Sequence, residues 1–133
     1  MQTDPLADFL TTIRNASRSS KTEIFVPWSR MRSDVAHVLK NEGYVLEVEK
    51  VTDKASEGKP VLRVKLHGLG KSRSITQITR ISKPGRRQYV GSQEIPRVLG
   101  GMGIAVVSTP RGVMAGHQAK KQNLGGELLL TVY

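Results

Sequence analysis

Three side chains in the C-terminal half could hold a polar or anionic ligand at one point. Ser108, Thr109 and Arg111 follow Ile104–Val107, a short apolar run rich in β-branched residues that ends before Pro110. Such a run is typical of a buried strand. Hydroxyls can donate to or accept from base edges and ribose 2′-OH groups, and arginine can pair with phosphate. The pattern predicts a strand that delivers these side chains to one surface point, although a simple strand-end turn has the same local sequence.

The residues needed for catalysis are missing around this point. Ser108 has no Gly-x-Ser-x-Gly elbow, and residues 68–133 contain only two carboxylates, Glu94 and Glu127. The chain has no cysteine, which excludes a thiolate metal site and a cysteine nucleophile. The three histidines lie far apart in sequence, so a zinc site made from them alone is not expected. We expect a non-enzymatic protein that needs no cofactor.

The distribution of charge predicts a polyanionic partner. The formal net charge is +10. Residues 1–67 hold eleven Lys or Arg against nine Asp or Glu, whereas residues 68–133 hold ten against two. A field of one sign concentrated in one half is typical of nucleic-acid binding, whereas a merely solubilising charge is more often mixed in sign. No apolar run approaches the roughly 18 residues that a membrane span needs, and the acidic N-terminus is unlike a signal peptide, so we expect a soluble intracellular protein.

Hydrophobic periodicity predicts an α+β fold with two parts. In residues 1–67 it indicates helix, strand, helix, strand and strand. The second helix is predicted from about Ser29 to Glu42, with Gly43 at its end and with Met31, Val35, Val38 and Leu39 on its buried side. The glycine-rich, basic segment His67–Arg73 is the predicted linker. We therefore expect an N-terminal α+β domain over 1–67 and a basic, mostly β domain with short helices over 68–133.

The second part is predicted as short elements joined by turns. They are a strand at Ile75–Ile81, a cationic turn at Ser82–Arg87, a short helix at Glu94–Leu99, the strand at Ile104–Val107, a short helix within Val113–Asn123, and a last strand at Glu127–Tyr133 with Leu128, Leu130 and Val132 on one face. The turn carries Lys83 and Arg86, and Tyr89 follows it with a ring for base or sugar contact, or alternatively as a half-buried strand aromatic. No basic recognition helix and no aromatic-rich strand motif is present, which favours reading of folded RNA by its shape, through loops.

Several stretches, in the right order, resemble the bacterial small-subunit ribosomal protein S-eight family over nearly the whole chain. They are Asp4–Asp8 with Arg14 and Asn15, Leu39–Tyr44, Ser82–Arg86 with Tyr89, Glu94–Pro96, Gly103–Thr109, Gly112–Met114 and Gly125–Glu127. The resemblance implies two small α+β domains packed together and a cytoplasmic protein of the ribosome. It also implies direct binding to a helix with an irregular internal loop in the central domain of small-subunit ribosomal RNA, a role in assembly, and neighbouring ribosomal proteins as partners.

The resemblance also implies which residues contact RNA. Ser108 and Thr109 would reach bases or backbone, with Tyr89, Gly112 and Glu127 near the same surface. Secondary contacts would come from Thr3, Arg30 and Arg32. The family usually carries a third hydroxyl where this chain has Pro110, which offers neither a side-chain donor nor an N–H, so that contact is lost or taken over by Thr109.

Two other functions stay open from the sequence. Members of this family can bind a similar RNA fold in the messenger of their own operon and repress its translation, so a translational repressor is the first alternative. The second is a protein-interaction module whose basic face meets an acidic partner.

Overall fold

The chain folds into two compact units. The structure, a computed structural model, describes residues 4–19, 21–52, 57–68 and 74–133. One unit comprises residues 11–75, and the other comprises residues 76–133 together with residues 4–10 of the described chain. The predicted domain boundary between residues 67 and 68 stays a prediction, and most of the predicted linker lies outside the described residues.

Helices and antiparallel sheets alternate in the first half as predicted, which confirms the α+β class. The elements in chain order are α1 (Pro5–Ser17), β1 (Glu23–Pro27), α2 (Arg30–Asn41), β2 (Val45–Thr52) and β3 (Pro60–Leu66). The three strands form one antiparallel sheet in the order β1-β3-β2.

Helix α2 begins and ends at the residues that the sequence indicates. The Ser29 hydroxyl caps the start by accepting from the Arg32 N–H at 3.1 Å. At the other end Gly43 has a φ of +84°, a left-handed conformation that glycine adopts without steric cost. Met31, predicted on the buried side, is exposed, because the buried face of α2 begins only at Val35.

The second unit is built around a five-stranded antiparallel sheet. Its elements are β4 (Ile78–Arg80), β5 (Tyr89–Val90), two 3-10 turns (Ser92–Glu94 and Val98–Gly101), β6 (Ile104–Thr109), β7 (Gly112–Ala115), α3 (Gly116–Lys121) and β8 (Gly126–Val132). The strand order is β4-β8-β6-β7, and β5 pairs with β8 as well. Strand β8 is therefore the element that brings β4, β5 and β6 together.

Two local predictions in this unit differ from the structure, and one strand was not predicted. The strand predicted over Ile75–Ile81 is limited to the three residues of β4. The helix predicted over Glu94–Leu99 is wrong: Pro96 disfavours the helical conformation of the residue before it, and Ile95 is extended with a ψ of 123°. Strand β7 was not predicted, because its four residues carry no clear alternation.

A bulge changes the orientation of side chains along β8. Val106 pairs with Leu130, but the next residue, Val107, pairs with Leu128, so one extra residue is accommodated in β8. Neighbouring residues of a strand point to opposite faces. Leu128 and Leu130 therefore lie on opposite faces of the sheet, and the prediction that they share one with Val132 is wrong for Leu128.

Both faces of this sheet carry buried residues. One face contributes to a hydrophobic cluster that is completed by Ala119 of α3; its residues are Ile95, Ala105, Val107, Met114, Ala119 and Leu128. The other face has Val106, Leu130 and Val132, which are also buried. Within the described part of the chain, no helix has the length and apolar character needed to cross a membrane.

Candidate nucleic-acid interface

Strand pairing places Tyr89, Glu127, Ser108 and Val113 in one line across the sheet. Tyr89 of β5 pairs with Glu127 of β8, Glu127 pairs with Ser108 of β6, and Ser108 pairs with Val113 of β7. Directly paired residues of antiparallel strands project to the same face. With two strand spacings between them, the Cα atoms of Tyr89 and Ser108 are about 10 Å apart. We call these four residues the cross-strand row.

The cross-strand row lies on the face opposite the hydrophobic cluster. Val107 and Leu128 belong to that cluster and directly adjoin Ser108 and Glu127 in sequence, so the side chains of the latter two project the other way. Tyr89 is 71% exposed, whereas Ser108 and Glu127 are half-buried. The row therefore combines an open aromatic ring with two more enclosed polar side chains. Among the described residues, the Ser108 hydroxyl has no hydrogen-bond partner.

A tight turn between β6 and β7 presents Arg111 beside the row. Thr109 pairs with Gly112, which leaves only Pro110 and Arg111 in the loop. Proline suits the first loop position. Gly112 has a φ of +114°, a conformation that residues other than glycine rarely adopt. Arg111 and Gly112 are both exposed, so a cation and an open stretch of backbone stand next to Ser108.

The Thr109 hydroxyl is used inside this turn. Thr109 is 8% exposed. Its Oγ1 donates to the Gly112 carbonyl at 2.8 Å and accepts from the Arg111 N–H at 3.1 Å. The structure thus gives Thr109 a role in shaping the turn, and the predicted contact of its side chain with RNA stays a prediction.

Ser82 and Arg87 hold the Glu127 carboxylate in position. The fully buried Ser82 donates from Oγ to Glu127 Oε2 at 2.6 Å, and Arg87 Nη1 donates to the same oxygen at 3.0 Å. The Ser82 hydroxyl also accepts from the Gln88 N–H at 3.0 Å. One hydroxyl therefore joins the carboxylate of β8 to the chain leading into β5. Sequence reasoning did not assign this role to Ser82 or Arg87, because their partner is about forty residues away.

The cationic turn projects from this network. Lys83 and Arg86 exchange two backbone hydrogen bonds, with N···O distances of 3.3 and 2.9 Å, around Pro84 and Gly85. Gly85 has a φ of +78°, which together with the preceding proline is the pattern of a type II turn. Lys83 and Arg86 are both exposed. The predicted turn is confirmed, and its two cations stand on the Tyr89 side of the cross-strand row.

The remaining predicted contacts are in the other unit or outside the described residues. Arg30 is exposed and pairs with Asp34 one turn later, with 3.6 Å between Nε and Oδ2. Arg32 donates from Nη1 to the Pro27 carbonyl at 2.9 Å. Thr3 lies outside the described residues. The structure thus brings together Ser108, Glu127 and Tyr89 within one sheet, and their predicted RNA contacts stay predictions.

Comparison with known proteins identifies the family. The model of the family described as "Ribosomal protein S8" matches residues 4–133. Among curated proteins, the chain is 49% identical over 133 residues to "Small ribosomal subunit protein uS8" of Methylacidiphilum infernorum, with all of both chains covered. It is 46% identical over 134 residues to the protein of the same name from Koribacter versatilis, covering all of this chain and 98% of the relative.

The chain belongs to the ribosomal protein S8 family. The family resemblance noted from the sequence motifs is thereby confirmed. Membership of the S8 family makes this chain a structural protein of the small ribosomal subunit in the cytoplasm, and not an enzyme. The described residues contain no group of three or more histidines, aspartates or glutamates that could hold a metal ion.

Proposed function

We propose that this protein binds a folded helix in the central domain of small-subunit ribosomal RNA and supports assembly of the subunit there. The observation that carries the proposal is the cross-strand row, in which a hydroxyl, a carboxylate and an aromatic ring share one face between two cationic turns. RNA recognition needs these functional groups together, because phosphates, base edges and base faces each require a different contact.

Each side chain suits a different part of an RNA. The Ser108 hydroxyl can both donate and accept, and therefore suits a ribose 2′-OH or a base edge. The exposed ring of Tyr89 offers a surface on which a base or sugar can stack. Lys83, Arg86 and Arg111 are exposed cations and suit phosphate oxygens.

Glu127 can discriminate between parts of the RNA, because a carboxylate is favourable there only where it faces a hydrogen-bond donor. An ionised carboxylate accepts hydrogen bonds and repels phosphate. It therefore suits a base amino group or a 2′-OH and disfavours a misaligned backbone. Since Ser82 and Arg87 both bind Oε2, the Oε1 atom remains as the acceptor for such a donor.

Filter binding to the isolated central-domain RNA helix at several salt concentrations tests the proposal. We expect tight binding that weakens steeply with salt, since each phosphate contact releases counterions. The double variant Lys83→Ala and Arg86→Ala should reduce the slope of log K against log salt by about 2. Removing the same charge at Lys120 and Lys121, exposed residues of α3, should leave the slope much closer to that of the original chain. Equal slopes for both double variants would argue against this surface.

The variant Ser108→Ala tests the row itself. We expect the binding free energy to weaken by about 1–2 kcal/mol, the scale of one lost hydrogen bond that leaves its RNA partner unsatisfied. The matched control is Ser92→Ala. The Ser92 hydroxyl lies outside the cross-strand row and donates to Asn123 Oδ1 at 2.8 Å. Unchanged affinity of Ser108→Ala across all salt concentrations, measured with a correctly folded protein, would remove Ser108 from the interface.

Repression of the protein's own operon stays a prediction, because no described feature separates one RNA target from the other. Competition between the ribosomal RNA helix and the operon leader would distinguish them. Preferential binding of the leader would make repression the main function, and preferential binding of the ribosomal helix would support the assembly role.

A further inference from the structure

One face of the sheet in the unit of residues 11–75 carries only exposed or half-buried residues and differs in charge from the rest of the chain. Strand pairing arranges its side chains as three rows across β1, β3 and β2. The rows are Glu23, Lys65 and Glu47; Phe25, Arg63 and Glu49; and Pro27, Val61 and Val51. We call these nine residues the open grid. The opposite face has the buried residues Ile24, Val26, Leu62 and Val64.

Three carboxylates dominate the charge of the open grid. Arg63 hydrogen-bonds Glu23, donates to Glu49 at 3.2 Å and lies 3.7 Å from Glu47. The hydrogen bond that Arg63 donates to Glu23 and the negative charges of Glu23 and Glu49 raise the pKa of the Arg63 guanidinium above its ordinary value. One guanidinium is thus shared among three carboxylates. Its distance of 3.7 Å to Glu47 is longer than a hydrogen bond. Glu47 and Glu49 keep side chains that are 59% and 58% exposed, so both can accept further donors.

Apart from Lys65, the remaining part of the open grid is apolar. Phe25 is 59% exposed, and the row of Pro27, Val61 and Val51 adjoins it. An antiparallel sheet that simply faces water usually presents polar residues on that side. An exposed aromatic next to an apolar row, bordered by acids, is instead typical of a surface that binds a partner.

We propose that the open grid docks a lysine- and arginine-rich segment of a neighbouring protein in the small ribosomal subunit. Its three acids against two cations complement a basic chain, while Phe25 and the apolar row can cover the aliphatic parts of lysine and arginine side chains. An RNA phosphate backbone would be repelled by Glu47 and Glu49. A second copy of this chain would bring the same acids against each other. This proposal does not depend on where RNA binds.

Site-specific cross-linking in assembled subunits tests the proposal. A photo-reactive benzoylphenylalanine replaces Phe25 in the full chain, the variant is assembled into small subunits, and the cross-linked product is identified by mass spectrometry. We expect a cross-link to a protein segment rich in lysine and arginine. A cross-link to ribosomal RNA, to a second copy or to a segment without basic residues would overturn the proposal, as would the absence of any cross-link. The same probe at Tyr89 is expected to reach RNA, and its failure there would bear only on the RNA proposal.

Neutralising the acids gives a second measurement. The cross-linked segment, made as a peptide, is titrated against the full chain and against the double variant Glu47→Gln and Glu49→Gln. We expect affinity to fall about tenfold or more, since two charge pairs are lost. Glu57→Gln, which removes an exposed acid outside the open grid, should leave affinity within about twofold. Equal affinity for the double variant and the original chain would overturn the role of the acids. RNA binding by the double variant should stay unchanged, which separates this result from a failure of the RNA proposal.

Discussion

Replacing Gly126 with alanine should lower the free energy of unfolding by about 3 kcal/mol or more and abolish RNA binding. A Cβ at this position would lie 2.0 Å from the Ser108 carbonyl oxygen and 3.1 Å from the Thr109 Cα. Both are backbone atoms of β6, so no side-chain rotation can relieve the clash, and overpacking of this kind costs more than the usual 1–3 kcal/mol. The two strands would have to separate where Ser108 pairs with Glu127.

Urea unfolding followed by circular dichroism measures the first effect. The matched control is Gly91→Ala, where the new Cβ would meet only the Glu94 carboxylate, at 3.0 Å. That side chain can turn away, so the control should stay within about 0.5 kcal/mol of the original stability. Equal unfolding midpoints for the two variants would contradict the close approach of β8 to β6 at Gly126.

Ser82→Ala should destabilise the protein by about 2–3 kcal/mol and weaken RNA binding as well. The substitution removes a buried hydroxyl that donates to Glu127 and accepts from the Gln88 N–H. It leaves the Gln88 N–H without its acceptor and removes one of the two donors to the half-buried Glu127 carboxylate, and an unsatisfied buried polar group costs about 1–3 kcal/mol. Arg87 alone would then hold the Glu127 carboxylate. The Oε1 atom, which is the proposed acceptor for RNA, would no longer be fixed in its orientation beside Ser108.

Thermal unfolding and filter binding of this variant separate the two effects. Ser92→Ala serves as the control, because its hydrogen bond to Asn123 is exposed. We expect that control to change stability by no more than about 0.5 kcal/mol and RNA affinity by less than twofold. If Ser82→Ala kept full stability, the buried network would not hold the carboxylate. If it lost stability but kept full affinity at temperatures where it is folded, Glu127 would have no part in RNA binding.

Local sequence signals predicted the elements whose stability is decided within a few residues. The two ends of α2 were predicted because they depend on local requirements: a capping hydroxyl at Ser29 and a left-handed glycine at Gly43. Pro84 and Gly85 form the predicted turn for the same reason. The helix expected over Glu94–Leu99 failed because the restriction that Pro96 places on Ile95 is stronger than the apolar spacing around it.

By itself, the sequence determined the class of fold, the concentration of positive charge in residues 68–133, and the family, through motifs in fixed order. Only the tertiary structure decided which polar side chains share a surface. The bulge in β8 sets the faces of Leu128 and Leu130, and pairing of distant strands places Tyr89 and Ser108 on either side of Glu127. The bond between Ser82 and Glu127 joins residues 45 positions apart. Strand register depends on packing between segments far apart in the chain, and no local pattern of residue types specifies it.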